Sequence, residues 1–188
     1  MAFLSQEELN ALGFRYLGKN VKISNRASIY NYDRIEIGDN SRVDDFCLLS
    51  GSIKLGRNVH IGAYTQLAGG TKGITFEDFS GTSYAVQVFT QIDDYSGRTL
   101  FGPTVPEKYR DVFKKEVLVE KYCAVGAGAI IFAGVVLAEG TSVGAMSLVL
   151  KSTEPWGIYV GVPARKLKDR DKGLLTQVKA YLASEEDR

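Results

Sequence analysis

His60 is the only imidazole in the 188-residue chain, set in the stretch RNVHIGAYTQLAGG one residue before an Ile-Gly pair. A neutral histidine, with an unperturbed pKa of roughly 6.5, can take the proton from a hydroxyl as that oxygen attacks a carbonyl. A polar residue on the outer side of a surface strand is the competing reading. The choice turns on which way the side chain faces, and so on the element that carries Ile61. Cys47 and Cys123 are the only thiols. With no export signal in MAFLSQEELNALGF, both read as reduced. Lys and Arg total 23 against 22 Asp and Glu, so no field of one sign argues for nucleic acid or an acidic membrane. No run of 18 apolar residues occurs, so no membrane span and a cytoplasmic location are expected.

The element that positions His60 is a repeat. Stepping by six from Ile61 gives Ile37, Val43, Leu49, Leu55, Ile61 and Leu67; a second register gives Val119, Val125, Ile131, Leu137, Val143 and Val149. Two residues before each lies a small or β-branched residue or Ile: Ile35, Ser41, Cys47, Ile53, Val59 and Thr65, then Val117, Cys123, Ala129, Val135, Thr141 and Ser147. Positions i and i−2 of a short strand share a face, and the Gly, Asn and Asp between them supply tight turns. Three hexads make an 18-residue triangular coil, and stacked coils make a solenoid with a continuous aliphatic core. Each buried aliphatic contributes roughly 1.5–3 kcal/mol. Both cysteines fall on the inward i−2 track as small core fillers. His60, at i−1, points outward.

The pattern breaks between Thr71 and Glu116. GGTKGITFEDFSGTSYAVQVFT reads as strands with shifted spacing, and 91–115 shows no hexad and reads as an excursion loop. Ser5 and Glu8 make a capping box for a short helix bearing Leu9 and Leu12. DKGLLTQVKAYLASEEDR reads as a helix with Leu174, Leu175, Val178 and Leu182 as its stripe. Each helix is expected to cap an open end of the solenoid, where unpaired edges invite aggregation. The divisions are a helical cap over 1–17, a solenoid over 18–168 and a C-terminal helix over 169–188.

IGDNSRVDDF, LGRNVHIGAY, VGAGAIIFAGVVLAEGTSVGAMSLVLKS and the closing GVPARKL resemble the hexapeptide-repeat acyltransferases over about residues 18–168. Gly161-x-Pro163-Ala164-Arg165 points within that family to the maltose and galactoside acetyltransferase-like branch. DDFCLLSG, DDYSG and EPWGIYVGVPA suggest its O-acetyltransferases of surface polysaccharide or O-antigen sugars. The resemblance implies an all-β fold, a left-handed parallel β-helix, and a homotrimer that binds acetyl-CoA in grooves between neighbouring chains. It implies transfer of the acetyl group to a sugar hydroxyl. An amine of a nucleotide-linked amino sugar is the alternative acceptor, and one that needs no strong base. One departure matters: VFTQIDDYS puts Asp93 where the branch has its catalytic histidine.

His60 is then the remaining imidazole and the candidate base, with Asp93 or Asp94 as the carboxylate that would fix its tautomer; DDYSG also reads as a capped turn. Tyr95 and Ser96 are candidates to touch the acceptor. By the resemblance, acetyl-CoA follows the last coils past Gly126, Gly128, Gly144 and Ala145, where small residues let a ligand approach the backbone. Lys151, Arg165 and Lys166 are candidates for its phosphates. Turn geometry and ordinary solvation are the competing readings of these two sets. Trp156 is expected to pack beneath the last coil. A γ-class carbonic anhydrase shares this fold but needs three histidines, so no metal is expected. A flat ice-binding face would want outward Thr ladders, and the outward positions here are mixed Lys, Asp, Arg and His.

Overall fold

The computed structural model describes residues 2–186; Met1, Asp187 and Arg188, which end the two expected helical segments, lie outside them. The chain winds as a left-handed parallel β-helix of about seven turns. Three faces repeat coil after coil. The first aligns Ile35, Ile53, Ile74 and Val117 in parallel register. The second aligns Val43, Ile61, Thr82, Val125, Val143 and Tyr159. The third aligns Ile29, Leu49, Leu67, Val88, Ile131 and Val149. All twelve hexad aliphatics and all twelve i−2 residues are buried, so the period-six pattern is the core itself.

The interval where the repeat is obscured is also coiled. Leu67 and Phe76 are nine residues apart, but Phe76, Thr82 and Val88 resume the six-residue step, and all are buried. Thr82 is tolerated inside because its hydroxyl accepts from the Gly62 amide at 3.1 Å and meets Thr65 Oγ1 at 3.3 Å. The excursion leaves after Thr90 and returns at Lys115, whose amide donates to the Thr90 carbonyl. Its two ends, Gln91–Asp93 and Val112–Lys114, pair antiparallel.

Helix α1 (Gln6–Ala11) has the expected capping box and seats Leu9, 1% exposed, on the first coil. The Leu4 amide donates to Ile23 and so fixes the approach. Helix α2 (Leu174–Glu186) differs from expectation. It half-buries Leu174, Leu175, Val178 and Leu182, but it lies along a corner of the solenoid rather than over its end. The reason is lateral bonding far back in the chain. Asn58 donates to the Tyr181 hydroxyl at 3.1 Å, Asn40 donates to Glu185 at 3.1 Å, and Arg57 pairs with Glu185. That corner carries left-handed residues, Asn at positions 20, 40 and 58, then Phe79, Tyr122 and Trp156. Asn adopts this conformation readily, whereas an aromatic there costs on the order of 1–3 kcal/mol. The cost is offset by stacking of Phe79 on Tyr122 and by Tyr181 meeting Phe79 edge-on. Trp156 therefore packs on the corner beside Tyr122 and not beneath the final coil.

Cys47 and Cys123 are free and buried, and burial pushes their thiols up to about 11 and about 12. No helix among the described residues is long and apolar enough to cross a membrane. None of their His, Cys, Asp and Glu side chains form a group of three or more able to hold a metal.

Candidate active site

Val59 and Ile61 point inward on the second face, so His60 between them points out, its side chain about half exposed. Its Nε2 lies 2.8 Å from Asp44 Oδ2. A carboxylate only accepts, so Nε2 carries a proton and donates it to Asp44. Asp44 is itself nearly buried and accepts from Arg42 Nε at 2.6 Å. Burial raises its pKa, but hydrogen bonds and charge from His60 and Arg42 outweigh that and hold the carboxyl below its usual range.

The partner of His60 is thus Asp44, not Asp93 or Asp94, which corrects the sequence expectation. The 18-residue coil accounts for it: Val43 stacks directly on Ile61, so the outward neighbours 44 and 60 meet diagonally. That spacing is the signal that would have found Asp44. In the register beside His60 stands Gly81, where any Cβ would lie 2.6 Å from the His60 carbonyl. Ala124 and Ser142 continue the row. These small residues leave a groove of about 640 Å³ running from Asn58 and His60 past Ser83 to Gly126 and Ser142.

The other expected residues divide between three places. Gly126 lines the groove, but a Cβ there would come within 2.6 Å of the Ala145 amide; at Gly144 it would strike Val160 at 2.7 Å. Close coil stacking is thus reason enough for Gly126, whereas at Gly144 the obstacle is a valine side chain. Gly128 is a left-handed corner residue beside Met146, and Ala145 is exposed. Lys151, Arg165 and Lys166 border a separate depression of about 300 Å³ at the end of the solenoid. Lys166 already meets Asp169 and Glu154, both at 2.9 Å, and these bonds hold its ammonium well above the usual lysine range.

Asp93 and Asp94 line a third pocket, of about 330 Å³, with Tyr95 and Arg98. Asp94 organises the loop: it accepts from the Ser96 amide at 2.8 Å and from the Thr99 hydroxyl at 3.2 Å, and the Ser96 bonds lower its pKa. Ser96 is engaged in this turn, while Tyr95 stands 77% exposed. Asp93 Oδ1 has no hydrogen-bond partner. The chain therefore brings His60 and Gly126 into one groove and places the two aspartates in another pocket on the excursion.

No protein-family model matches the chain. An Escherichia coli dTDP-4-amino-4,6-dideoxy-D-glucose acyltransferase is 37% identical over 178 residues, 93% of this chain and 92% of that one. The chain belongs to the hexapeptide-repeat acyltransferases, enzymes that move an acyl group from a CoA thioester. AntD, an N-acyltransferase from Bacillus cereus solved with dTDP and 3-hydroxybutyryl-CoA, superposes with a TM-score of 0.97 at 48% identity, covering 98% of both chains. A maltose O-acetyltransferase from Clostridium difficile reaches only 0.58 at 18% identity, over 89% of this chain and 75% of that one, and shares the fold alone.

Proposed function

We propose that the protein transfers a short acyl group, acetyl in the simplest case, from its CoA thioester to the amine of a dTDP-linked 4-amino-4,6-dideoxy sugar. The observation that carries this reading is the near full-length similarity to an acyltransferase named for such a sugar and to an N-acyltransferase solved with one bound. It favours the amine alternative over sugar O-acetylation. A sugar amine is an adequate nucleophile once one proton is lost, so the chemistry needs a carboxylate to seat the ammonium more than a strong base. In our reading Asp93, one of whose oxygens accepts no hydrogen bond, seats the ammonium. Asp93 accepts one proton from the seated ammonium, the neutral amine adds to the thioester carbonyl, the C–S bond breaks, the second N–H proton goes to the departing thiolate, and amide, CoA thiol and a proton that Asp93 returns to water result. The product, a nucleotide-linked N-acyl sugar, is activated for glycosyl transfer into a surface polysaccharide.

The donor runs along the His60 groove in this proposal, with His60 held by Asp44 as part of its wall. Asp93 reaches such a groove from a neighbouring chain, and the assembly we propose for it is the homotrimer that the family resemblance implies. An exposed corner row of Phe46, Tyr64, Tyr84 and Met146, with Phe46 stacked on Tyr64 at 5.0 Å, supplies apolar surface for that contact. Light scattering is expected to give three chains per particle; a monomer at micromolar concentration contradicts the shared site. We place the reaction in the cytoplasm, a compartment that keeps both thiols reduced.

His60→Ala separates the two acceptors. With an amine, turnover should fall by less than about tenfold, because no strong base is lost; a loss of about 10²–10⁴ is the mark of a general base and returns the hydroxyl reading. Steady-state rates on the folded variant decide it.

A further inference from the structure

Among the described residues, two buried side-chain polar atoms lack a hydrogen-bond partner, Asp93 Oδ1 and Arg110 Nε. They belong to the same ion pair, in which Arg110 Nη1 stands 3.7 Å from Asp93 Oδ1, beyond hydrogen-bond reach. Buried groups of this kind are normally satisfied, and leaving them unmet is costly. The rest of the excursion meets its needs: Asp94 has two hydrogen-bond donors, and the Arg110 amide donates to Glu107. The shortfall is therefore local to one pair.

The backbone sets this pair deliberately. Asp93 lies opposite Val112 in the antiparallel pairing, and Arg110, two residues before Val112, is fixed by its bridge to Leu100. Both side chains are mostly covered, at 24% and 20% exposure. A guanidinium presents a rigid fork of donors suited to a carboxylate, which a lysine cannot reproduce. Here one nitrogen of the fork stands 3.7 Å from the carboxylate, and no hydrogen bond joins the two.

We propose that Arg110 is a positioning residue for Asp93. It holds the carboxylate in one orientation, and the pair closes to hydrogen-bond distance when the acceptor's ammonium engages Asp93. The inference rests on the amine reading above and adds to it the residue that orients its key carboxylate. A guanidinium that merely fastens the loop would act on stability and on every substrate alike; one that acts through Asp93 loses its effect when that carboxylate is gone.

A double-mutant cycle in the full chain tests this, using Asp93→Asn, Arg110→Met and their combination. Initial rates are read with acetyl-CoA and dTDP-4-amino-4,6-dideoxyglucose. Arg110→Met is expected to lower kcat/KM for the amino sugar about 10–100-fold, as a misplaced catalytic group does, with KM for acetyl-CoA within about twofold. The double variant should be no more than about threefold worse than Asp93→Asn alone. Arg110→Lys, which keeps charge without the fork, should recover part of the loss, and it stands in for Arg110→Met in the cycle should that variant not fold. Losses that multiply across the cycle overturn the proposal while the amine reading stands. A wild-type protein that leaves the amine unacylated removes both.

Discussion

Asp93→Asn should lower amide formation by about 10²–10⁴ at saturating thioester while the protein keeps its fold and its affinity for CoA. The substitution preserves shape and removes the charge that seats the ammonium, and the expected loss is that of a positioned acid-base group. The excursion should survive because Asp94, not Asp93, accepts the turn's hydrogen bonds from Ser96 and Thr99. Initial-rate kinetics with calorimetry of CoA binding check both parts. An Asp93→Asn enzyme within about threefold of wild type would assign the ammonium to another group.

The second large effect lies in the core. Phe76 is fully buried at the position where the repeat restarts after its nine-residue step. Phe76→Ala removes a ring from the stack and leaves a cavity that flanking coils, tied by backbone bonds such as Gly56 to Phe76, cannot close. Such truncations cost about 3–5 kcal/mol. For a chain of this length that is a drop in Tm of roughly 6–20 °C. A calorimetric scan shifted by less than 3 °C would show that the coil bearing Phe76 is not an integral part of the stack.

Phe76 also marks where the sequence stopped being readable. The two regular registers identified every inward aliphatic they contain, since period six leaves no other face for them. Between them, three extra residues after Leu67 and a threonine at inward position 82 mask a coil that is otherwise regular. The helix stripe over 174–182 was legible, but its seat was not. Asn40, Arg57 and Asn58 draw α2 onto the corner from more than 120 residues away, and nothing local encodes that. His60 was legible as outward-facing, and its partner was missed because Asp44 is adjacent only through the coil pitch. The glycines at 126 and 144 read as ligand contacts in sequence; the structure gives Gly126 backbone of the next coil within 3 Å, which by itself forbids a side chain, whereas Gly144 meets only the Val160 side chain at that range. The acceptor was the least legible feature, since its contacts fall on an excursion with no repeat to constrain it.

The central claim is that the acceptor atom is nitrogen. The direct measurement offers the protein acetyl-CoA with dTDP-4-amino-4,6-dideoxyglucose and, separately, with the same nucleotide sugar bearing a hydroxyl in place of the amine, following CoA thiol release and the mass of each product. The expected result is one acetyl group on the amino sugar, held as an amide that survives mild alkali, and no product from the hydroxyl analogue. Acetylation of the hydroxyl analogue at an equal or greater kcat/KM, yielding an alkali-labile ester, would contradict it.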